Sequence, residues 1–216
     1  MSTISEAMRY MKAGNNEEIR AKAELALQRL REISAPKFLY AVFPILKKDK
    51  GFELEGSGLV LSGNSAETML SDCDSAAVMI CTLGFGFESE LRTLQARNMA
   101  DALIFDACGS ALVEEGCDIA EGEIAARLPG KYLTDRFSPG YGDLPLSLQE
   151  DILRILNAQK KLGVHLTDSL LFNPCKTVSA ILGISDRVQP SRIRGCDYCK
   201  MKDICAIRKS GGSCGK

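Results

Sequence analysis

A chain of 216 residues with 45% hydrophobic and 25% charged residues has the composition of a globular protein with room for a full core. Its formal net charge of −1 excludes attraction of the whole molecule to nucleic acid or to an anionic membrane. The first residues, Met-Ser-Thr-Ile-Ser-Glu-Ala-Met-Arg, lack the apolar run of a secretion signal, and the longest apolar-leaning stretch, 75–87, is too short to span a bilayer, so a reducing, cytoplasmic setting is expected.

The N-terminal pattern predicts a short helix over 4–12, with Ser5 as its cap and Gly14 as its stop. Asn15 and Asn16 open a charged amphipathic helix whose apolar residues run from Ile19 to Ile33, and Ala35-Pro36 ends it. Residues 37–46 are aromatic and aliphatic and read as a strand. Phe52, Leu54, Leu59 and Leu61 alternate as in a strand pair or a bent strand. A short helix capped by Asn64 or Ser65 follows, up to Leu70.

Residues 76–83 form a continuous apolar run of strand length and read as a central strand. One or two helices then occupy 88–116, packed on it through Leu91, Leu94, Met99, Leu103, Ile104, Leu112 and Val113, with Gly109-Ser110 as a close approach or kink. Helix continues from Asp118 to Leu128 and stops at Gly130. A strand over 131–137, a helix over 147–162, and strands at 170–173 and 178–184 complete the reading. Strands interleaved with helices give a mixed α+β fold, a central and mostly antiparallel sheet flanked by helices. The domain is placed at 1–188, followed by a small Cys-rich appendix at 189–216.

The nine cysteines fall into two groups. Cys73, Cys81, Cys108 and Cys117 lie in apolar or mixed segments and read as packing residues. Cys196, Cys199, Cys205 and Cys214 crowd the end of the chain as Cys-x2-Cys-x5-Cys-x8-Cys, a spacing that suits a thiolate tetrahedron around zinc or an Fe–S centre, with Cys175 as a spare ligand. From Gln189 onward seven cationic residues face two acidic ones; the tail is +5 and the rest of the chain −6. There is no Gly-x-Gly-x-x-Gly or Walker sequence. The one histidine, His165, reads as a surface or edge residue, since triads need partners it lacks.

The most informative segment is 136–145, Arg-Phe-Ser-Pro-Gly-Tyr-Gly-Asp-Leu-Pro. Pro139 fixes its own φ and Gly140 is free to take positive φ, which makes Ser138–Tyr141 a tight turn. Arg136 offers a planar fork of donors for a carboxylate, and Tyr141 an aromatic face ending in a hydroxyl. Such a turn suits a small zwitterionic ligand.

Three stretches, Arg136-Phe-Ser-Pro-Gly-Tyr141, Leu166-Thr-Asp-Ser169 and Asn173-Pro-Cys-Lys-Thr-Val-Ser179, make the segment from Arg136 to Gly183 resemble the reactivation domain of cobalamin-dependent methionine synthase. The helical stretch from Ala100 to Glu115 is loosely similar, and the first hundred residues resemble free-standing relatives of that domain. The resemblance implies binding of S-adenosylmethionine and presentation of its methyl group to the corrinoid of a partner, so that inactive cob(II)alamin, reduced by one electron from a flavodoxin- or ferredoxin-like donor, is trapped as methylcobalamin. It implies that Arg136 holds the carboxylate of the ligand and that the Ser138, Pro139 and Gly140 backbone contacts it. Tyr141, which faces the corrinoid in the family, is the residue given a catalytic role. Glu114, or its neighbour Glu115, matches an acidic ligand contact on the preceding helix. The family's acidic contact near the start of the domain has no counterpart, and its aromatic-rich stretch is replaced by Ile181-Leu-Gly-Ile-Ser-Asp186.

The expected function is therefore that of a methyltransferase component, a reactivation subunit. The chain lacks a corrinoid-binding Asp-x-His-x-x-Gly sequence, so cobalamin must come from a corrinoid-binding partner or a truncated methionine synthase. Iron–sulfur in the tail would make the chain its own reductase, whereas zinc would make the tail a docking knob. A different class of reading is a non-catalytic, metal-containing module that docks on a protein or nucleic acid through the basic tail. The acidic body and the lack of interleaved aromatics other than Tyr198 speak against nucleic acid, and nothing points to a membrane.

Overall fold

The computed structural model describes residues 2–189 and 203–204. Its elements run α1 (Thr3–Tyr10), α2 (Glu17–Ile33), β1 (Lys37–Lys48), β2 (Gly51–Leu54), β3 (Leu59–Leu61), α3 (Asn64–Leu70), β4 (Ser75–Thr82), α4 (Phe85–Arg97), α5 (Met99–Ala126), β5 (Tyr132–Leu133), α6 (Leu148–Leu156), α7 (Ala158–Leu162), β6 (His165–Leu166), β7 (Phe172–Asn173) and β8 (Thr177–Ser185). The main sheet has the order β3-β2-β1-β4-β8-β5, and β6 and β7 form a separate pair. β4 is buried along almost its whole length, as a continuous apolar run in an interior strand must be. The chain divides into two compact units, residues 1–40, 79–123 and 149–179 in the first and 41–78, 124–148 and 180–216 in the second.

In the first unit α1 is capped by Ser2, whose hydroxyl accepts from the Ser5 amide, so the cap lies three residues before the expected Ser5. Asn16 caps α2 through a 3.0 Å bond from the Ile19 amide. α2 buries Ala23, Leu27 and Leu30, a stripe at helical spacing. Asn98 both ends α4 and caps α5, accepting from the Ala100 amide at 3.0 Å. The helical stretch after β4 is therefore two helices, and the second runs on through residue 126.

Phe87 stacks on Phe105 at 5.3 Å between centroids. Gly109 faces that pair, and a Cβ there would enter the Phe87 ring, which makes it the expected close approach. Ile104, Leu112 and Val113 are buried as expected, but Met99 and Leu103 are 58% and 64% exposed, and Leu91 and Leu94 are half-buried. Leu103 lies about 200° of helical turn from the buried Phe105, on the opposite face. Lys176, just before β8, salt-bridges Asp106 at 2.9 Å, donates to Ser110 Oγ at 2.9 Å, and sits over the Phe87 ring. The helix expected over 147–162 is broken at Asn157, which takes the left-handed conformation that asparagine tolerates, giving α6 and α7.

In the second unit β1–β2 and β2–β3 pair antiparallel, with Phe52 opposite Leu61 and Leu54 opposite Leu59. These four side chains are buried while Val60 between them is exposed, so the alternation is that of a hairpin with one face covered. Lys131, before β5, holds Asp74 at 2.6 Å and Asp186 at 2.9 Å, tying together residues that precede β4 and follow β8. The strand expected over 131–137 shrinks to β5 and one isolated bridge, Phe137 to Ile181. Between them the Thr134 hydroxyl takes the Gly183 amide at 2.8 Å, so a side chain replaces a ladder carbonyl.

Cys73, Cys81, Cys108 and Cys117 are buried, as packing cysteines should be. Burial pushes the Cys108 thiol up to about 12, which keeps it protonated and inert. The appendix cysteines Cys196, Cys199, Cys205 and Cys214 lie outside the described residues. Among the described residues no group of three or more His, Cys, Asp or Glu could hold a metal, and no helix is long and apolar enough to cross a membrane.

One helix supplies opposed tests of this packing. Gly109→Ala is expected to cost about 1–3 kcal/mol, because the new methyl meets a fully buried ring. Gly122→Ala, with open space at its Cβ, is expected to raise stability by up to about 1 kcal/mol, both read by urea denaturation. Asp74 gives an acid test. Its hydrogen bond with Lys131, then that with Ser75, holds its carboxyl below the usual range. The resulting stability is complete above the unfolded carboxyl value of about 3.9 and is lost as pH falls through the lower folded value. Lys131→Met is expected to flatten the fall of melting temperature in that acid window and to lower it slightly at neutral pH.

Candidate functional site

The turn at 138–141 grows out of the Phe137–Ile181 bridge in the second unit. The Phe137 amide donates to the Ile181 carbonyl at 2.9 Å, and the Ile181 amide returns the bond at 2.8 Å. Alternation then sends Arg136 and Ser138 to the side opposite Phe137. Phe137 is 4% exposed and Arg136 is 7% exposed. A guanidinium buried to this degree is desolvated, and hydrogen bonds to it are stronger than they would be in water.

The chain then reverses. The Tyr141 amide donates to the Ser138 carbonyl at 3.3 Å, with Gly140 at φ 91°, the positive value that the third position of a type II turn requires. A second closure follows at once, as the Gly140 amide reaches the Leu144 carbonyl at 2.9 Å and the Leu144 amide the Tyr141 carbonyl at 3.1 Å. Pro139 and Leu144 are buried, Ser138 is half-buried, and Gly140 is exposed. Tyr141 is 70% exposed at the tip. The turn therefore has a buried cationic root and an exposed aromatic end.

A residue that carried no role in the sequence reading fixes the far side of this turn. Asp143 accepts from the Asn64 amide at 2.6 Å and from the Ser65 amide at 2.9 Å. Its own amide donates to Ser65 Oγ at 3.3 Å. The carboxylate thus caps α3 from 78 residues away, and the cap expected of Asn64 or Ser65 is absent; the residue before the helix is Gly63, which has no side chain to offer. These hydrogen bonds, that with Ser65 foremost, hold the Asp143 carboxyl below the usual carboxylate range. The available signal was a helix start preceded by glycine, whose first amides need an acceptor from elsewhere.

Glu114 belongs to the first unit, half-buried on α5. There its charge adds to burial and to Glu6 in raising the Tyr10 hydroxyl above its ordinary value. Glu115 is committed to structure, bonded to Thr3 and to Arg31, the latter at 2.9 Å. A cleft of about 560 Å³ beside that pair, lined by Thr3, Leu27, Gln28 and Arg31, contains none of the expected site residues.

The two other sequence stretches, 166–169 and 173–179, lie in the first unit. Asn173 Nδ2 lies 3.0 Å from His165 Nε2, and His165 stacks on Phe85, so the histidine sits at the edge of the β6–β7 pair as expected. Cys175 is exposed, and its amide is held by Glu88. Partial burial and the Glu88 charge raise its thiol, which leaves it a weak thiolate ligand near neutral pH. Ser179 Oγ and Gln149 Oε1 are buried without a hydrogen-bond partner among the described residues.

No curated protein matches the chain by sequence. Residues 117–208 match the family model for the activation domain of vitamin B12-dependent methionine synthase, a range that contains the whole turn and β8. Among solved structures, the MetH reactivation domain bound to AdoHcy superposes with a TM-score of 0.65 at 15% identity, covering 91% of this chain and 73% of that one. The mixed α+β architecture expected from the sequence is thus the architecture found. Residues 117–208 are thus similar to the activation domain of vitamin B12-dependent methionine synthase, and the fold of the chain is that of the reactivation domain.

Proposed function

We propose that this chain binds S-adenosylmethionine at the Arg136–Tyr141 turn and presents the methyl group to a corrinoid carried by a partner protein. The observation that carries the reading is the Arg-x-Ser-Pro-Gly-Tyr turn, with a buried guanidinium at its root and a tyrosine 70% exposed at its tip, inside the family match. The AdoHcy bound to the similar reactivation domain is the demethylated form of the same ligand, and it supports the ligand class.

In this reading Arg136 fixes the carboxylate end, and the Ser138–Gly140 backbone, closed by its own hydrogen bonds, fixes the ligand's position against the turn. Tyr141 meets the partner's corrinoid. Glu114 is the proposed acidic contact on the ligand. The corrinoid, reduced by one electron from a flavodoxin- or ferredoxin-like donor, supplies the cobalt electron pair that takes the methyl group as the sulfonium S–C bond breaks to a thioether. The work left to these residues is orientation, which needs no general base. In the cytoplasm the chain would serve a corrinoid protein or a truncated methionine synthase. For Cys196, Cys199, Cys205 and Cys214 we propose a zinc or Fe–S centre on the strength of their spacing and the donor chemistry of four thiolates. Metal analysis after anaerobic purification decides it: iron with a brown colour fits a redox role, stoichiometric zinc a docking role, and metal-free protein removes the centre.

Calorimetry with S-adenosylmethionine, alone and with a corrinoid protein, tests the main reading. Binding is expected, and Arg136→Ala is expected to weaken it by about 2–4 kcal/mol. Because Arg136 is buried, its variant needs a melting control. Tyr141→Ala is expected to keep the melting temperature while lowering methylation of the corrinoid partner. Absence of binding by the unaltered chain under both conditions ends the proposal.

A further inference from the structure

We propose that Asp143 is the positioning residue of the ligand turn, holding it in its binding shape by capping α3. The inference rests on the S-adenosylmethionine reading for its functional half and on geometry alone for its structural half.

Three observations converge on it. The first is the reciprocity of the bonds, since the Asp143 carboxylate accepts from the Asn64 and Ser65 amides while Ser65 Oγ accepts from the Asp143 amide. Within a single helix that exchange is a capping box, with each side satisfying the other's free donor. Here the two halves are far apart in sequence, so satisfying the helix end and placing the turn are one event.

The second is the glycine on each side of the exchange. Gly142 has φ 60° and Gly63 has φ 99°. A Cβ at Gly63 would lie 2.7 Å from Asp143 Oδ2, and one at Gly142 would collide with Ser65 Oγ. Each side chain could move aside only by giving up the bonds that form the cap. The backbone approaches this closely because both residues next to the exchange lack side chains.

The third is where Asp143 sits relative to the turn's own bonds. It lies between Tyr141 and Leu144, whose backbones close the second loop at 3.1 Å, and Gly140 reaches the Leu144 carbonyl at 2.9 Å. A shift at 143 therefore moves the acceptor and donor of residue 144 on which both closures depend. The exposed tyrosine follows, because it has no burial of its own to hold it. The low-lying carboxyl fits the same arrangement, since the charged form is the one that the amides hold.

Asp143→Ala, Asp143→Asn and Ser65→Ala test this by two readouts. In amide hydrogen exchange, Asp143→Ala is expected to speed exchange about tenfold or more at Asn64 and Ser65 and also at Gly140 and Leu144, while amides in β4 stay protected. In calorimetry the same variant is expected to weaken S-adenosylmethionine about tenfold, and Asp143→Asn, which keeps one acceptor oxygen, is expected to recover part of that loss. If Asp143→Ala does not fold, Ser65→Ala removes a single bond of the exchange and carries both measurements at smaller amplitude. Faster exchange confined to Asn64 and Ser65 overturns the proposal, because the cap would then be local to α3. Wild-type affinity in Asp143→Ala overturns it as well. If the unaltered chain binds no S-adenosylmethionine, the ligand reading falls, and the exchange pattern still decides whether Asp143 holds the turn.

Discussion

The pairing of Phe137 with Ile181 is the constraint on which the rest of the site depends. It is a single antiparallel bridge, bonded in both directions, on a segment that otherwise meets β8 at Tyr132, Leu133 and Thr134. Slipping its register by one residue would exchange the environments of Arg136 and Phe137. Both are nearly fully buried, one as a cation and the other as a hydrocarbon ring, so neither tolerates the other's place. That double demand specifies the register more firmly than two hydrogen bonds could. Thr134 contributes from both its backbone and its side chain, its amide donating to the Gly183 carbonyl at 2.9 Å and its hydroxyl accepting from the Gly183 amide at 2.8 Å. The functional turn thus leaves the sheet at a defined residue and on a defined face.

Local pattern made much of this legible. The buried run at β4, the alternation of β2 and β3 and the Pro-Gly turn each announce themselves within ten residues, because the physics that forms them acts over about ten residues. What stayed hidden depends on partners distant in the chain. Asp143 appears in the sequence as one more polar turn residue, and only the fold brings it to the first amides of α3. Asn157 was hidden for a different reason: the amphipathic pattern runs straight across it, and a left-handed residue leaves the apolar spacing nearly intact. Leu103 reads as core in the sequence because α5 is apolar on most sides, and hydrophobicity alone does not say which side is covered.

The candidate ligand residues divide the same way. Arg136, Ser138, Pro139, Gly140 and Tyr141 are nearly contiguous, and one turn places all five. Glu114 is carried by a different unit, where its charge is felt by Tyr10, so no local feature of the turn bears on its role. Its neighbour Glu115 serves the first unit's own architecture by engaging α1 and α2. An acidic pair on a helix gives no clue in sequence to which member is structural, because both present the same chemistry to the pattern.

Fold similarity at 15% identity and a family match that starts only at residue 117 describe one design from two directions. The fold needs apolar residues at the right spacing, and many sequences meet that need, as the small hydrophobic cysteines of this core illustrate. The turn needs particular residues. Proline and glycine set two backbone angles, glycine again clears a path for the Asp143–Ser65 exchange, and an arginine must be the group that is buried. None of these can be traded for a residue of similar hydrophobicity. Sequence resemblance therefore concentrates where backbone geometry and charge are specified residue by residue. The chain before residue 117 follows the looser rule of burial, and there the shared architecture is visible in the fold rather than in the residues that build it.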